Sequence, residues 1–547
     1  PRLIVDQYGA PHAVVDGTAL ALPRGAYPWL RRLMWEAEGR GVTSEALQVA
    51  AGTLEALALH EGERVELHVR SAWEAGSQTL WVWLGSGRYL AVDAQGWRVS
   101  GEAPVLFRVY PTLQELPDPV AGDPAALEEL LELVGPRDER LRRLLTAWLA
   151  LAWLPHVARP ILLFVGDMGS GKTLRQRIIK RLLDPAKPES IRLDAREIIQ
   201  KLAHCQIALL DNLGSIPEWA IDTLCRAVTG EGDAKRRLYS DEEDVVFEFK
   251  RAILLNGINP PADRADFNDR LLPVPLERIP DDERREEEAI WELFARRHAT
   301  WLGALATLLS AALRVRASVR LRRLPRLADW GRWAAAVYEA AGWGAAQFES
   351  DWSVVVGEQQ RAAIEGSPVG QALLRWIEQR TSWRGTATEL LGELAPVAEE
   401  LRLLGSKAWP RTPVWLARRL REIRPVLLAT GVVIREERGS AGERFWLIER
   451  RPVEPTPEDV PQIPSVPSVL SEPASPSRFS PDSNRDVTVS TDALLSDGDP
   501  QQGERSDGIR HGPDGIDPLL SGLLSGQNPR PDAQSDGTDG TDSKSGA

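Results

Sequence analysis

The chain has 547 residues, 43% of them hydrophobic and 27% charged, and a formal net charge of −13. That length calls for several folded units, and no apolar run approaches the roughly 18 residues of a membrane span, so membrane functions are set aside and a soluble, cytoplasmic protein is expected. Only two cysteines occur, Cys205 and Cys225, which leaves no material for a disulfide framework or a zinc site. The acid is unevenly placed. Residues 451–547 carry 7 Lys/Arg against 17 Asp/Glu, leaving 59 against 62 for residues 1–450, so whole-chain charge does not argue against a nucleic-acid partner.

Pro1 opens a segment, RLIVDQYGAPHAVVDG, that reads as a strand already under way, and the natural chain is expected to begin upstream. Alternating apolar stretches follow at 64–70 (RVELHVR), 79–85 (TLWVWLG) and 88–93 (RYLAVD), interrupted by a helical patch near 41–60. They predict a small α+β domain over 1–120, with no catalytic constellation. Helical spacing over 124–154, broken at Gly135-Pro136, predicts two helices that brace the apolar strand ILLFV at 161–165.

Directly after that strand comes Gly166-Asp167-Met168-Gly169-Ser170-Gly171-Lys172-Thr173, then the helical run LRQRIIKRLL. This matches G-x-x-x-x-G-K-[ST] in its strand–loop–helix setting. The glycines let backbone N–H groups turn inward around phosphates, and the helix N-terminus adds partial positive charge. Lys172 is placed to reach the β and γ phosphates of ATP, and Thr173 to ligate Mg²⁺. An apolar strand ending in Asp211-Asn212 lies 39 residues after Lys172, and Asp211 is expected to bind Mg²⁺ through water. The next apolar strand ends in Asn256, a candidate to orient the attacking water. Arg264 and Arg270 flank RADFNDR, ahead of a further strand LLPVPLE, and Arg270 is the stronger candidate to reach a neighbouring subunit's γ-phosphate.

Residues 280–365 read as a helical lid with a basic stretch, RVRASVRLRRLPRLADWGRW. Residues 366–450 order as helix, short helix at 386–394, helix and two-stranded wing, which is the order of a winged helix; Arg418, Arg419, Arg421 and Arg424 crowd its third helix, where such a domain meets DNA. The Pro/Ser/Asp/Gly-rich tail, 451–547, is expected to be disordered.

Taken together, ILLFV, the glycine loop, LLDN, the hairpin-like RRLYSDEEDVVFEFKRAILLN and NDRLLPVPLE resemble the AAA+ core of superfamily-three helicases, as in the helicase part of phage and plasmid primase-helicases. The resemblance covers about residues 120–345, and it is also similar to bacterial P-loop proteins in which a small domain precedes such a core and a winged helix follows. It implies an α/β fold with a P-loop NTPase (AAA+/ASCE) core over 121–279. It further implies ATP bound between protomers of a ring, usually a homo-hexamer. By that match Lys172 and Thr173 are the loop pair, Asp211 the metal-site acid, Asn256 the strand-end sensor and Arg270 the trans arginine. The implied activity is ATP-dependent translocation on single-stranded or forked DNA, in replication of a phage, plasmid or integrated element, alongside a primase or replication-initiation partner.

Two residue patterns depart from the family. Asn212 stands where many members have a second acid, and the hairpin tip at 240–244 is acidic although Lys235, Arg236, Arg237 and Tyr239 precede it. These departures motivate the alternative of a nucleotide-switched DNA-binding or assembly protein with little turnover.

Overall fold

The computed structural model describes residues 1–451 except 123, 215, 231–232, 237–243, 248, 258–263 and 440–442. Arg237, Tyr239, the hairpin tip and the acidic tail expected from the sequence lie outside the described residues. The N-terminal region opens with a meander, β1 (Arg2–Val5), β2 (Pro11–Val15) and β3 (Thr18–Ala21). Two helices follow, α1 (Tyr27–Glu38) and α2 (Ser44–Glu61). The sequence pattern predicts only the second of them. Helix α1 buries little of itself, with Leu30 its one buried side chain.

The stretch RVELHVR does not form one strand. It supplies β4 (Glu63–Arg64) and β5 (Leu67–His68), and the chain continues through β6 (Ser71–Glu74), β7 (Thr79–Gly85), β8 (Arg88–Val92), β9 (Trp97–Ser100) and β10 (Leu106–Arg108). One sheet has the order β4-β1-β2-β3-β10-β5. Its two edge strands are separated by only Val65 and Glu66, about 7 Å of chain, so the sheet must curl until its edges meet. The other sheet, β6-β7-β8-β9, is antiparallel. Strand β7 is buried along its whole length, because alternate residues serve two cores: Leu80, Val82 and Leu84 join the main one, Trp81 and Trp83 a smaller cluster with Tyr89 and Phe107.

Next come α3 (Pro124–Val134) and α4 (Glu139–Leu151), the latter capped by Asp138, which accepts from the Leu141 N–H. The central region contains β11 (Ile161–Val165), α5 (Lys172–Leu183), α6 (Ile198–Ala203), β12 (Ile207–Leu210), α7 (Glu218–Thr229), β13 (Asp233–Arg236), β14 (Asp244–Phe247), β15 (Ala252–Gly257), α8 (Ala265–Asn268) and β16 (Leu271–Pro275). Strands β12-β15-β11-β16 form an all-parallel sheet. Their runs, IALL, AILLN and ILLFV, are apolar without alternation because both faces are covered. Cys205 and Cys225 are both buried beside this sheet.

Helices α9 (Glu287–Val315), α10 (Ala328–Ala340) and α11 (Ala345–Glu365) follow. The basic stretch expected to be helical is instead a loop over 316–327. Pro325 lies near its end, and the Glu349 carboxylate takes up the N–H groups of Arg322 and Arg323, which a helix would need for itself.

The C-terminal region has its own core, including Leu373, Trp376, Leu390, Leu416, Trp446 and Ile448. Its elements are α12 (Pro368–Ile377), β17 (Ser382–Gly385), α13 (Ala387–Glu400), α14 (Pro413–Ala429), β18 (Val432–Arg438) and β19 (Arg444–Arg450). Strand β17, too short and polar to stand out in the sequence, pairs with β19 to give the order β17-β19-β18. Helix α13 opens with a capping box, Thr386 with Glu389, and runs through Pro396 to Glu400 rather than ending at Leu394.

One buried polar cluster ties the N-terminal sheets to the parallel sheet. The Asp184 carboxylate accepts from Arg70 Nε at 2.9 Å, from Lys180 Nζ at 2.8 Å and from the backbone N–H of Gln206 and Ile207 at 3.0 and 2.9 Å. Arg70 also donates to the carbonyls of Trp83, Gln114 and Pro185. Burial alone would raise the Asp184 pKa, but Lys180 and Arg70 outweigh it and hold the carboxyl well below the usual range. Removing its charge strands two buried cations, so Asp184→Asn is expected to cost about 3–5 kcal/mol in urea unfolding at pH 7. The carboxylate's contribution is complete above its unfolded value of about 3.9 and is lost as pH falls through the lower folded value. The gap between variant and wild type should therefore narrow below about pH 4.

Candidate functional site

The C-terminal ends of β11, β12 and β15 lie side by side, because all three strands run in one direction. In open parallel sheets this edge is where ligands bind. From β11 the chain enters the loop 166–171 and then α5, whose N-cap is Gly171 at φ 75°, a left-handed conformation that favours glycine. Gly166 is required for a different reason. A Cβ there would come within 2.4 Å of the Leu276 carbonyl oxygen.

Lys172 Nζ folds back on the loop, donating to the carbonyls of Gly166 and Asp167 at 2.6 and 2.8 Å and to Ser170 Oγ at 3.4 Å. Ser170 is buried and donates to the Asp167 carbonyl. Met168, at the tip, is 87% exposed, so it contributes backbone geometry rather than packing. At the second residue of the loop's helix, Thr173 Oγ1 donates to Asp211 Oδ1 at 3.0 Å. Asn256, buried at the end of β15, donates through Nδ2 to the same Asp211 oxygen and at 3.4 Å to Thr173 Oγ1. Its Oδ1 accepts the Asn212 N–H at 2.5 Å. Asn212 itself adopts φ 56°, which Asn tolerates better than most residues. One amide thus ties the ends of β12 and β15 to the start of α5.

The structure brings Lys172, Thr173, Asp211, Asn212 and Asn256 to one place, and it keeps Arg270 apart from them. The Arg270 carbonyl accepts from the Ile161 N–H at 2.7 Å, at the start of β11, whereas the glycine loop leaves the end of that strand. Five residues at about 3.3 Å each separate the two by roughly 16 Å. Arg270 Nη1 donates to the Asp266 carbonyl, and its Nε is buried without a partner. Arg264 is neutralised by Asp222 at 2.8 Å and Asp266 at 3.0 Å.

Sequence patterns do not point to the segment after β16, yet it lies along the glycine loop. The Leu276 N–H donates to the Val165 carbonyl at 2.7 Å, and the Ile279 N–H to the Gly169 carbonyl at 3.3 Å. Ile279 Cδ1 would lie 3.2 Å from a Cβ on Gly171, and Arg278 and Arg284 side-chain atoms 3.9 and 3.8 Å from one on Gly169. Only the strand order, with β16 beside β11, places this segment there. Arg175, one turn along α5, reaches the Gly135 carbonyl at the end of α3.

In the C-terminal region, three of the four arginines expected to meet DNA are already paired. Arg418 and Arg419 bind Glu422 at 3.0 and 2.8 Å, and Arg421 binds Glu436 at 2.9 Å. Part of α14 also lines a cavity of about 580 Å³ with Arg264, Asp269 and Arg326.

Chemically, a glycine loop that leads into a helix N-terminus, with a lysine beside it, suits a polyphosphate. A hydroxyl beside a carboxylate oxygen suits a hard divalent cation such as Mg²⁺. The residues present therefore fit both groups.

The parallel sheet, its glycine loop and the separately cored C-terminal region define a mixed α/β protein of modular build. Residues 127–350 match the family model of the actinomycete integrative conjugative element replication protein, and residues 369–462 match the model of that family's C-terminal domain. Carrying both in order, the chain is a replication protein of a conjugative element. Among solved structures, the A form apo structure and a further apo structure of the NrS-1 C terminal region each share 14% identity with the chain, covering 82% of it and 96% of their own length, with TM-scores of 0.40. No curated protein matches the chain.

Asn256→Ala removes the shared amide and leaves the Asn212 N–H and the Asp211 carboxylate short of a partner. A loss of about 1–3 kcal/mol in urea unfolding is expected.

Proposed function

We propose that this chain is an ATP-dependent DNA helicase or translocase that drives replication of its mobile element, hydrolysing ATP between the subunits of a ring. The observation that carries this reading is the placement of Lys172, Thr173, Asp211 and Asn256 at one end of a parallel sheet, with Arg270 at the other. In this reading residues 121–279 are the ATPase core, 280–365 its lid and 366–450 a winged helix that engages DNA.

The loop N–H groups and Lys172 bind the β and γ phosphates, Lys172 exchanging its loop carbonyls for phosphate oxygens. Thr173 and, through water, Asp211 hold Mg²⁺, which when bound neutralises charge on the phosphates. Asn256 orients water for in-line attack. Charge developing on the transferred group is met by Lys172 and by Arg270 of the next subunit. An arginine whose backbone lies some 16 Å from its own site is better placed for a neighbour's, and a ring, most simply a homo-hexamer, supplies that neighbour. Single-stranded or forked DNA is the track, with a primase or initiation protein as co-worker.

A second reading rests on Asn212. The Asn212 side-chain amide beside Asp211 cannot act as a base, and the Asn212 backbone N–H is committed to Asn256 Oδ1, which favours a nucleotide-switched assembly protein with slow turnover.

ATP hydrolysis by the full chain, with and without forked DNA, separates the two. The motor reading expects stimulation by DNA and a loss of at least about 100-fold in Lys172→Ala; ATP binding without stimulated turnover moves the assignment to the switch. Arg270→Ala is expected to lower turnover by roughly 10³-fold, the scale of a trans arginine. Mixing it with Lys172→Ala should restore part of the rate, since mixed interfaces contain one intact site; no recovery at any ratio would refute the trans role.

A further inference from the structure

The loop between α9 and α10, with the helix ends that flank it, holds the largest excess of positive charge in the described residues that carboxylates do not neutralise. From Arg314 to Arg332 the sequence has seven arginines and one acid, Asp329. Arg326 alone of the seven makes an ion pair among the described residues, with Asp269 at 2.9 Å. Arg314, Arg320, Arg322, Arg323 and Arg332 are exposed. Arg316 lies over the Trp333 ring at 4.1 Å, and it feels both Asp329 and Arg332. The nearby Glu349 carboxylate binds backbone N–H groups of Arg322 and Arg323 at 2.7 and 3.1 Å and leaves their guanidinium groups free of it.

The contrast with α14 decides the matter. There Glu422 and Glu436 hold three arginines in ion pairs, and a phosphate would have to break those pairs to bind. At the α9–α10 loop it would not. The loop is also held rather than loose: Glu349 fixes its backbone, Arg320 donates to the Ala317 and Val319 carbonyls, and Arg314 donates to the Ala94 carbonyl. Arginines spaced along a fixed, exposed loop match the repeat of a charged backbone, and they read no base edges.

We propose that this loop is the principal DNA-phosphate contact of the chain, with Arg320, Arg322 and Arg323 at its centre and the α14 arginines secondary. The proposal rests on the reading that the protein works on DNA, and it assigns that contact to a surface outside the winged helix. Each phosphate neutralised releases a counterion, so the contact has a signature that packing changes do not imitate.

The test is binding of the full chain, without nucleotide, to a fluorescein-labelled single-stranded 30-mer and to a duplex of the same sequence, across a salt series. Arg320→Ala/Arg322→Ala/Arg323→Ala is expected to weaken binding about tenfold or more. It should also flatten the slope of log affinity against log salt by roughly 2 units, near 0.7 to 0.9 for each lost contact. Its urea midpoint should stay close to the wild-type value, since all three side chains are exposed and Arg320 gives up only surface bonds to the Ala317 and Val319 carbonyls, and Arg320→Glu/Arg322→Glu, tested in parallel, should weaken binding further. Arg418→Ala/Arg421→Ala should have the smaller effect. Wild-type affinity and slope in the loop variants would overturn the proposal, whether the loop then serves an acidic protein segment or nothing. No DNA binding by the wild type would overturn the DNA reading as well.

Discussion

Asp184 is where the parts of this molecule are joined. Its carboxylate takes a guanidinium from the N-terminal sheets, an ammonium from the helix that follows the glycine loop, and two N–H groups at the start of β12. Three fully buried charged side chains are tolerated only when each satisfies the others, and here every one does. The cluster sets the base of α5 against β12, and the same helix and strand carry Thr173 and Asp211 at their other ends. The alignment of the candidate site is thus inherited from a contact that touches no ligand.

Strand direction does the rest. Because β11, β12 and β15 are parallel, their polar ends meet at one edge, and Asn256 needs only its two amide atoms to fasten Asp211, Thr173 and Asn212 together. The direction that gathers these residues also sends Arg270 to the far edge. A single chain therefore carries Arg270 and the candidate site at opposite ends of one parallel sheet.

Much of this could be read before any coordinates. The apolar runs at 161–165, 207–210 and 252–256 mark buried strands, and the spacing of the glycines, Lys172 and Thr173 over 166–173 marks a candidate phosphate loop. What stayed hidden was tertiary in origin. Arg70 and Asp184 are 114 residues apart, and neither lies in a pattern that distinguishes it from a surface charge. The segment from Leu276 to Arg284 reaches the loop only because β16 pairs with β11. The arginines of α14 read as unpaired positive charge because local charge counts cannot see that Glu436, on a different element, takes one of them. The 314–332 stretch is the opposite case. Its charge is conspicuous, but helical periodicity concealed that its middle is an exposed loop held in place by Glu349.

Helix α9 has a mechanical meaning. It begins eight residues after Ile279, which is bonded to the glycine loop, and ends at the arginine-bearing loop. At 29 residues and about 1.5 Å of rise each, it is a rod roughly 43 Å long. Its middle is packed into the main core, with Trp301, Leu302, Leu305 and Leu309 almost wholly enclosed. Its buried face runs on from Ile290 near one end to Ala312 near the other, so the rod is held along most of its length and fixes the spacing between the segment beside the glycine loop and the arginine-bearing loop.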